Sequence, residues 1–534
     1  MNASAVGLLA SLVIGVASPV FAYDPTEKSI AQLQSDLAAG KVTSVQLVEA
    51  YEARIASLNP RLRAVIAVNP EAMVAAKADD AARKAGEPQG PLAGIPILIK
   101  DNIEASGPLP TTAGSLALRN NVTGRDAPMV GRLRAAGAII LGKTNLSEWA
   151  NIRSNRSISG WSGVGGLVRN PYALDRTACG SSSGSGAAAA ASLAAAAIGT
   201  ETDGSVTCPS AISGLVGLKP TVGLVSRTHI VPISHTQDTA GPMTRNVRDA
   251  AIMLSAMAGS DPADPATAEA DAHKRDYVAG LDAGALKGVR IGVMRFAAEF
   301  NPETEAVFER ALETLKAQGA ILVDVAEPPH RKEMGLAERA VLMTELKADL
   351  NAYLASTSPE RVPTRTLADL IAFDTAHARE EMSLFGQENF EMAQKTKGLD
   401  DADYLKAKAE AHRLAGPDGI DAMLAEGKVE ALIAPTTGPA WLIDPVLRDR
   451  PGGGGAGNFA AVAGYPHLTV PMGQVDGLPV GLSFIGPAWS EARLLALGYA
   501  YEQASHARTP PKYLAAAEPN DPQPWIESGV LAKP

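Results

Sequence analysis

The sequence predicts an α/β layer structure. Three observations carry this prediction: short apolar runs of strand length alternate with longer runs of helical period, glycine and proline punctuate the joints, and 46% of the 534 residues are apolar against 20% charged. Such a composition supports a large core and excludes a disordered or collagen-like chain. No Pro- or Ser-rich linker and no repeat of fixed period divides the chain. One large domain over residues 23–534 is therefore expected, although the length alone would allow about two to four.

The first 22 residues stand apart. Met1 to Ala22 carries no charged side chain, and the apolar run Leu8 to Val16 is followed by Pro19, Val20, Phe21 and Ala22. The run is too short for a spanning helix of about 20 residues and suits the core of an export signal cleaved after Ala22. An uncleaved anchor is the competing reading, since the usual N-terminal Lys or Arg is missing. The expectation is a signal peptide at 1–22 and a periplasmic or secreted protein with no membrane association once it is removed. No later stretch is long and apolar enough to span a bilayer.

Thr43 and Gln46 fit a capping box, and Val45, Leu47, Val48, Tyr51 and Ile55 recur at helical spacing until Asn59-Pro60 stops the run. Ala64 to Val68 reads as a strand, Pro70 to Ala85 as a helix stopped by Gly86, and Ile95 to Ile99 as a strand ending on Lys100-Asp101-Asn102. Pro128 to Ala136 is helical with Gly137 as its stop, and Ala138 to Leu141 is a buried strand. The alanine run Ala187 to Ala197 reads as a buried helix entered through a glycine-rich turn. Further strands are expected at Val289–Met294, Ile321–Val325, Ala431–Ala434, Leu468–Val470 and Val480–Ile485. Helices are expected at Glu303–Gln318, over much of Lys332–Leu354 and at Ser490–Ser505, and four glycines stand at Gly452 to Gly455.

Forty-eight Lys and Arg against 58 Asp and Glu give a net charge of −10, which offers no field for a nucleic acid partner. Aromatic residues are only 4%, which favours close helix packing over stacking platforms. Cys179 and Cys208 are the two cysteines, so the chain is not a disulfide scaffold. No clustered Cys/His ligand set suggests a metal, and no cofactor is expected.

Two familiar motifs match in form. Gly137 to Thr144 reads GAIILGKT and satisfies the P-loop expression, but Ala138 to Leu141 between the glycines are themselves a strand, whereas the motif needs a loop that wraps phosphate. Gly180 to Gly184 reads GSSSG and satisfies the nucleophile elbow with Ser182 at its centre. That reading needs a partner histidine, and among His229, His235, His273, His330, His377, His412, His467 and His506 only His467 is a passable candidate. A lysine can replace histidine as the base for a serine nucleophile if its amine is neutral, a form that burial favours. Lys100 at the end of an apolar strand has that setting, although by itself it reads more simply as an exposed lysine.

The segments Gly94-Ile95-Pro96-Ile97-Leu98-Ile99-Lys100-Asp101-Asn102, Gly142-Lys143-Thr144-Asn145, Gly180-Ser181-Ser182 and GTETDGSVTCPSAISGLVGLKPT together resemble the amidase signature family, as does GLPVGLSFIG at Gly477 to Gly486. The likeness covers nearly the whole chain after residue 22. ETDGS at Glu201 to Ser205 departs from the commoner D-T-G-G-S wording and, with CGSSSGSG at Cys179 to Gly186, is similar to the peptide amidases. The resemblance implies a large mixed β-sheet sandwiched between layers of helices and a Ser-Ser-Lys triad. In it Ser205 is the nucleophile, Ser181 the bridging serine on a cis peptide and Lys100 the base.

It further implies an oxyanion hole from the backbone N–H groups of Thr202, Asp203, Gly204 and Ser205, with Ser182 in support. The Asp203 side chain is expected to face other donors, away from the oxyanion. Lys143 is open between a charge-network and a structural role, and Asp238 is expected to be architectural. Cys179 and Cys208 flank the two serines, and both a disulfide and two buried thiols remain open. The substrate pocket is expected to draw on roughly residues 327–398.

The expected reaction is hydrolysis of a carboxamide to carboxylate and ammonia through an acyl-enzyme, with the C-terminal amide of a peptide as substrate. A broad small-molecule or aryl amide hydrolase is the alternative, and a non-catalytic binding protein on the same scaffold the more distant one. Export and negative charge argue against the branch of the family that acts on charged tRNA.

Overall fold

A computed structural model describes residues 23–298 and 300–517, so the expected signal segment at 1–22 lies outside the described residues. Strands form where buried apolar runs are short: β1 Val65–Val68, β2 Pro96–Lys100, β3 Ile139–Thr144, β4 Trp161–Ser162, β5 Gly166–Leu167, β6 Ala196–Glu201, β7 Val216–Lys219, β8 Thr239–Thr244, β9 Arg290–Val293, β10 Ile321–Asp324, β11 Ala431–Pro435, β12 His467–Val475 and β13 Leu478–Ile485. Strands β4 and β5 pair only with each other; the rest make an 11-stranded sheet in the order β1-β3-β2-β6-β8-β7-β12-β13-β11-β9-β10. The sheet is mixed. Parallel pairs β2·β3, β2·β6, β9·β10 and β9·β11 are joined by antiparallel pairs through β8, β7, β12 and β13.

Helices flank it, as the resemblance implied. Helices 183–190 and 207–212 touch each other and pack on the central strands, while helices 128–135, 247–257, 302–317 and 491–505 form a second contacting group over β8 and β12. Every residue of β2, β3, β6, β8, β11 and β13 is buried, which suits strands covered on both faces.

Three elements differ from the sequence expectation, each for a local reason. The helix capped by Thr43 runs on through Pro60 to Leu62; Arg63 then takes the left-handed conformation, its N–H donating to Asn59 O, and the Asn59 side chain pairs with the Val65 backbone. The alanine run divides. Only its first part is helical, within Ser183–Ala190; Ser192 turns at φ 53°, and Ala196 and Ala197 enter β6. Helix propensity loses here because β6 has hydrogen-bonding partners on both sides, β2 and β8, and alanine fits either geometry. Strand β8, TAGPMT, has no strand-like sequence. Gly241 is needed where the Leu218 carbonyl comes close, and Pro242 lies beyond the two residues that pair with β7.

Candidate active site

Parallel neighbours β2 and β6 end on the same edge of the sheet, and their register of Ile99 opposite Ile198 leaves the Lys100 side chain within reach of Thr200. Ligands gather at such carboxyl ends in open α/β sheets. Lys100 is fully buried. Its Nζ lies 2.7 Å from Ser181 Oγ, 2.8 Å from Thr200 Oγ1 and 3.3 Å from Thr200 O. Burial pushes the amine from its ordinary 10.5 down to about 7, against an opposing pull from the Asp238 and Glu201 carboxylates.

Ser181 sits on the turn into helix 183–190, and the Gly180–Ser181 peptide bond is cis, as expected. Its carbonyl accepts from Ser147 N–H at 3.0 Å. Ser182 ties the turn to β6, donating from Oγ to Thr200 O at 3.0 Å and accepting from Thr200 N–H at 3.2 Å. Ser182 N–H also donates to Ser205 O at 3.1 Å, which places Ser205 beside the turn that carries Ser181. Ser205 is 8% exposed, and its hydroxyl makes no hydrogen bond among the described residues.

The loop from β6 to helix 207–212 is ordered by two carboxylates. Glu201 Oε2 accepts from the N–H groups of Val206 and Thr207 at 2.7 and 2.9 Å, a bond set that motif wording did not reveal. Asp238 accepts from Thr202 Oγ1 at 2.6 Å and from the N–H groups of Ile233 and Ser234, so its expected architectural role holds. Gly204 takes φ 77°, where a side chain would strain the turn. The N–H groups of Asp203, Gly204 and Ser205 donate to no acceptor among the described residues.

Asp203 corrects one expectation. Its carboxylate is exposed to the cleft and has no hydrogen-bond donor among the described residues, rather than facing donors as predicted. The physical reason is that Glu201, two residues earlier, has taken the donors at the start of helix 207–212.

Asp203, Gly204, Thr207 and Cys208 line a cavity of about 220 Å³ with Arg331, Thr436, Thr437, Gly454, Asn458 and His467 opposite them. A larger space of about 620 Å³ opens on the side of Asn102, Thr200, Thr202 and Asp238, walled by Ile230, Val231, Pro232 and Ile233. Of the stretch 327–398, Arg331 reaches the smaller cavity, and Asp349 and Ala352 line the larger space. Most of the stretch packs as its own cluster, in which Leu350, Tyr353, Leu370 and Phe390 bury Trp149.

The remaining sequence candidates fall elsewhere. Lys143 donates to Ile103 O at 2.6 Å and Thr111 Oγ1 at 2.8 Å and pairs with Asp101 at 3.4 Å, making it structural. Gly142, Lys143 and Thr144 belong to strand β3 and do not form a phosphate loop. His467 faces the cavity but gives its Nε2 to Ser483 Oγ at 2.6 Å, and burial beside Lys219 holds it down to about 3. Ser182 has no histidine partner, which removes the elbow reading. His235, Glu345 and Asp349 are the one ligand-type group gathered among the described residues. They are satisfied without an ion, His235 Nδ1 meeting Asp349 at 2.9 Å and Glu345 accepting from Tyr404 at 2.7 Å. Cys179 and Cys208 form a disulfide, which closes that open alternative.

A buried lysine bonded to a serine on a cis peptide, a second serine on the adjoining loop and the mixed sheet beneath them, taken with the family match that follows, place the chain in the class of enzymes that hydrolyse amides. The chain belongs to the amidase family, whose model matches residues 46–495. It is similar to the native peptide amidase of Stenotrophomonas maltophilia, with 53% identity, a TM-score of 0.88 and coverage of 92% of this chain and 99% of that one. A peptide amidase has also been solved with the competitive inhibitor chymostatin, again at 53% identity and a TM-score of 0.88, over 91% of this chain and 99% of that one. A probable amidase of Arabidopsis thaliana is 37% identical over 89% of each chain.

Proposed function

We propose that this amidase hydrolyses the C-terminal carboxamide of peptides to carboxylate and ammonia through an acyl-enzyme on Ser205. The observation that carries the mechanism is the set of bonds at Lys100 Nζ. A neutral amine has two N–H groups and one lone pair. With Thr200 O and Oγ1 taking the two N–H groups, the lone pair is left facing the Ser181 hydroxyl, the arrangement a proton acceptor needs. As Ser205 Oγ attacks the amide carbon, its proton passes to Ser181 and the Ser181 proton to Lys100. The oxyanion takes hydrogen bonds from backbone N–H groups over Thr202 to Ser205. The relay then runs backwards, protonating the departing nitrogen so that ammonia leaves, and water attacks the resulting ester with Lys100 again as base.

Peptide amides are favoured as substrate by the 53% identity to the Stenotrophomonas maltophilia enzyme and by the CGSSSGSG and ETDGS wording. Export is proposed with it. The apolar segment at 1–22 supports that reading, as does the Cys179–Cys208 disulfide, a bond that persists in oxidising compartments.

A panel of peptide amides, free peptides and aryl amides, scored by ammonia or amine release, tests the substrate. Ammonia from peptide amides with free peptides untouched is the expected result. Cleavage of internal peptide bonds with the amides untouched sinks it, faster turnover of aryl amides moves the assignment to the broad hydrolase, and no release from any member favours a binding protein. The acid limb of the pH profile is set by Lys100. Its conjugate acid has no lone pair to accept a proton, so kcat/KM is expected to rise about tenfold per pH unit below about 7 and to level off above it. A limb centred near 4 or near 10 would assign the base elsewhere.

A further inference from the structure

Cys179 precedes Ser181 by two residues and Cys208 follows Ser205 by three, so the disulfide spans 29 residues to join the two serine-bearing segments directly. The Ser182 N–H bond to Ser205 O makes the same connection, and the Ser182 Oγ bonds to Thr200 tie the turn to the strand end that leads into the Ser205 loop, but the disulfide is the one covalent tie. Cys179 is buried in a small cluster with Ile212 and Ala440, whereas Cys208 lines the cavity that also holds Asp203 and Gly204.

We propose that the Cys179–Cys208 disulfide is a positioning element of the active site, holding the Ser181 turn in register with Ser205, and that small thiols reach it through the cleft. The inference rests on the assignment of Ser181 and Ser205 made above. A proton relay needs its oxygens in contact, and misplacement by about 1 Å can cost about a hundredfold in rate. Cys208 is the half-buried cysteine that lines the cleft, and Cys179 is buried, so the proposed attack is on Cys208 Sγ. A thiolate attacking it forms a mixed disulfide there and expels the Cys179 thiolate. A second thiol attacks the outer sulfur of that adduct, releasing the oxidised small disulfide and leaving two protein thiols, so two thiols supply the two electrons.

The test treats folded, oxidised enzyme with dithiothreitol and counts protein thiols, kcat and KM on a peptide amide, with circular dichroism as the fold control. Two thiols should appear while the fold is kept, kcat should fall by at least about tenfold with KM within about twofold, and reoxidation should restore the rate. A Cys179→Ser, Cys208→Ser double variant should start at the reduced level and ignore dithiothreitol. Full kcat with two free thiols overturns the positioning role, as does a loss of activity that only follows the unfolded fraction. Failure of the folded protein to react overturns access from the cleft. If the double variant does not fold, reduced wild type decides alone. Ser205→Ala, assayed in parallel in the oxidised state, separates the two readings: its activity reports on the nucleophile whatever reduction does.

Discussion

Ser205→Ala is expected to lower kcat on a peptide amide by at least about 10⁴-fold while leaving the fold intact. The size follows from the role: without the hydroxyl no acyl-enzyme forms, and what remains is binding plus the oxyanion donors. The fold should tolerate the change because the Ser205 hydroxyl makes no hydrogen bond among the described residues, and its carbonyl, which accepts from Ser182, is retained. Circular dichroism and thermal unfolding should match wild type, and a competitive inhibitor should still bind. Ammonia release at more than a tenth of the wild-type rate would show that another group is the nucleophile. Ser181 and Ser182 are then the nearest hydroxyls to examine, the first bonded to Lys100 and the second to Thr200.

Lys100→Met is expected to cost about 10²- to 10⁴-fold in kcat and to abolish the limb near pH 7. Methionine suits the test because the site is fully buried and an apolar side chain of similar length fills it without importing a charge. Lys100→Arg should fail as badly, since a guanidinium does not lose its proton in the working range. The two variants separate catalysis from packing: a purely structural lysine would tolerate one of them and leave the residual pH profile unchanged. Retention of the limb in Lys100→Met would move the base to another titrating group, with Asp238, pushed up to about 6 by burial, the first to examine.

Much of the site was legible in the sequence. Lys100, Ser181 and Ser205 stand out by motif wording, and the fold brings Lys100 onto Ser181 and Ser205 beside it. Strand ends were legible to within a few residues wherever a buried apolar run was bounded by glycine or a charge, as at Pro96–Lys100 and Ala431–Pro435. Reading failed where one composition serves two geometries, as in the alanine run, and where pairing overrode local preference, as in Thr239–Thr244. It also failed for Glu201, which orders the loop bearing Ser205 by accepting from Val206 and Thr207. Nothing in its neighbours' identities says which donors a carboxylate will find.

The sequence by itself determined the layer class and the family, and it singled out Lys100, Ser181 and Ser205 as candidates, because periodicity and motif are properties of neighbours along the chain. The tertiary structure decided what state those residues are in. Burial by packing from strands far apart in the chain pushes the Lys100 amine down to about 7, and the fold sets its Nζ against both Ser181 Oγ and Thr200, 100 residues away. Pairing of Cys179 with Cys208 and exposure of Asp203 to the cleft were likewise settled only on folding. Desolvation and hydrogen-bond partnership depend on what surrounds a group in space, and for this site the surroundings come from β2, β6 and the turns that follow β6 and precede helix 183–190.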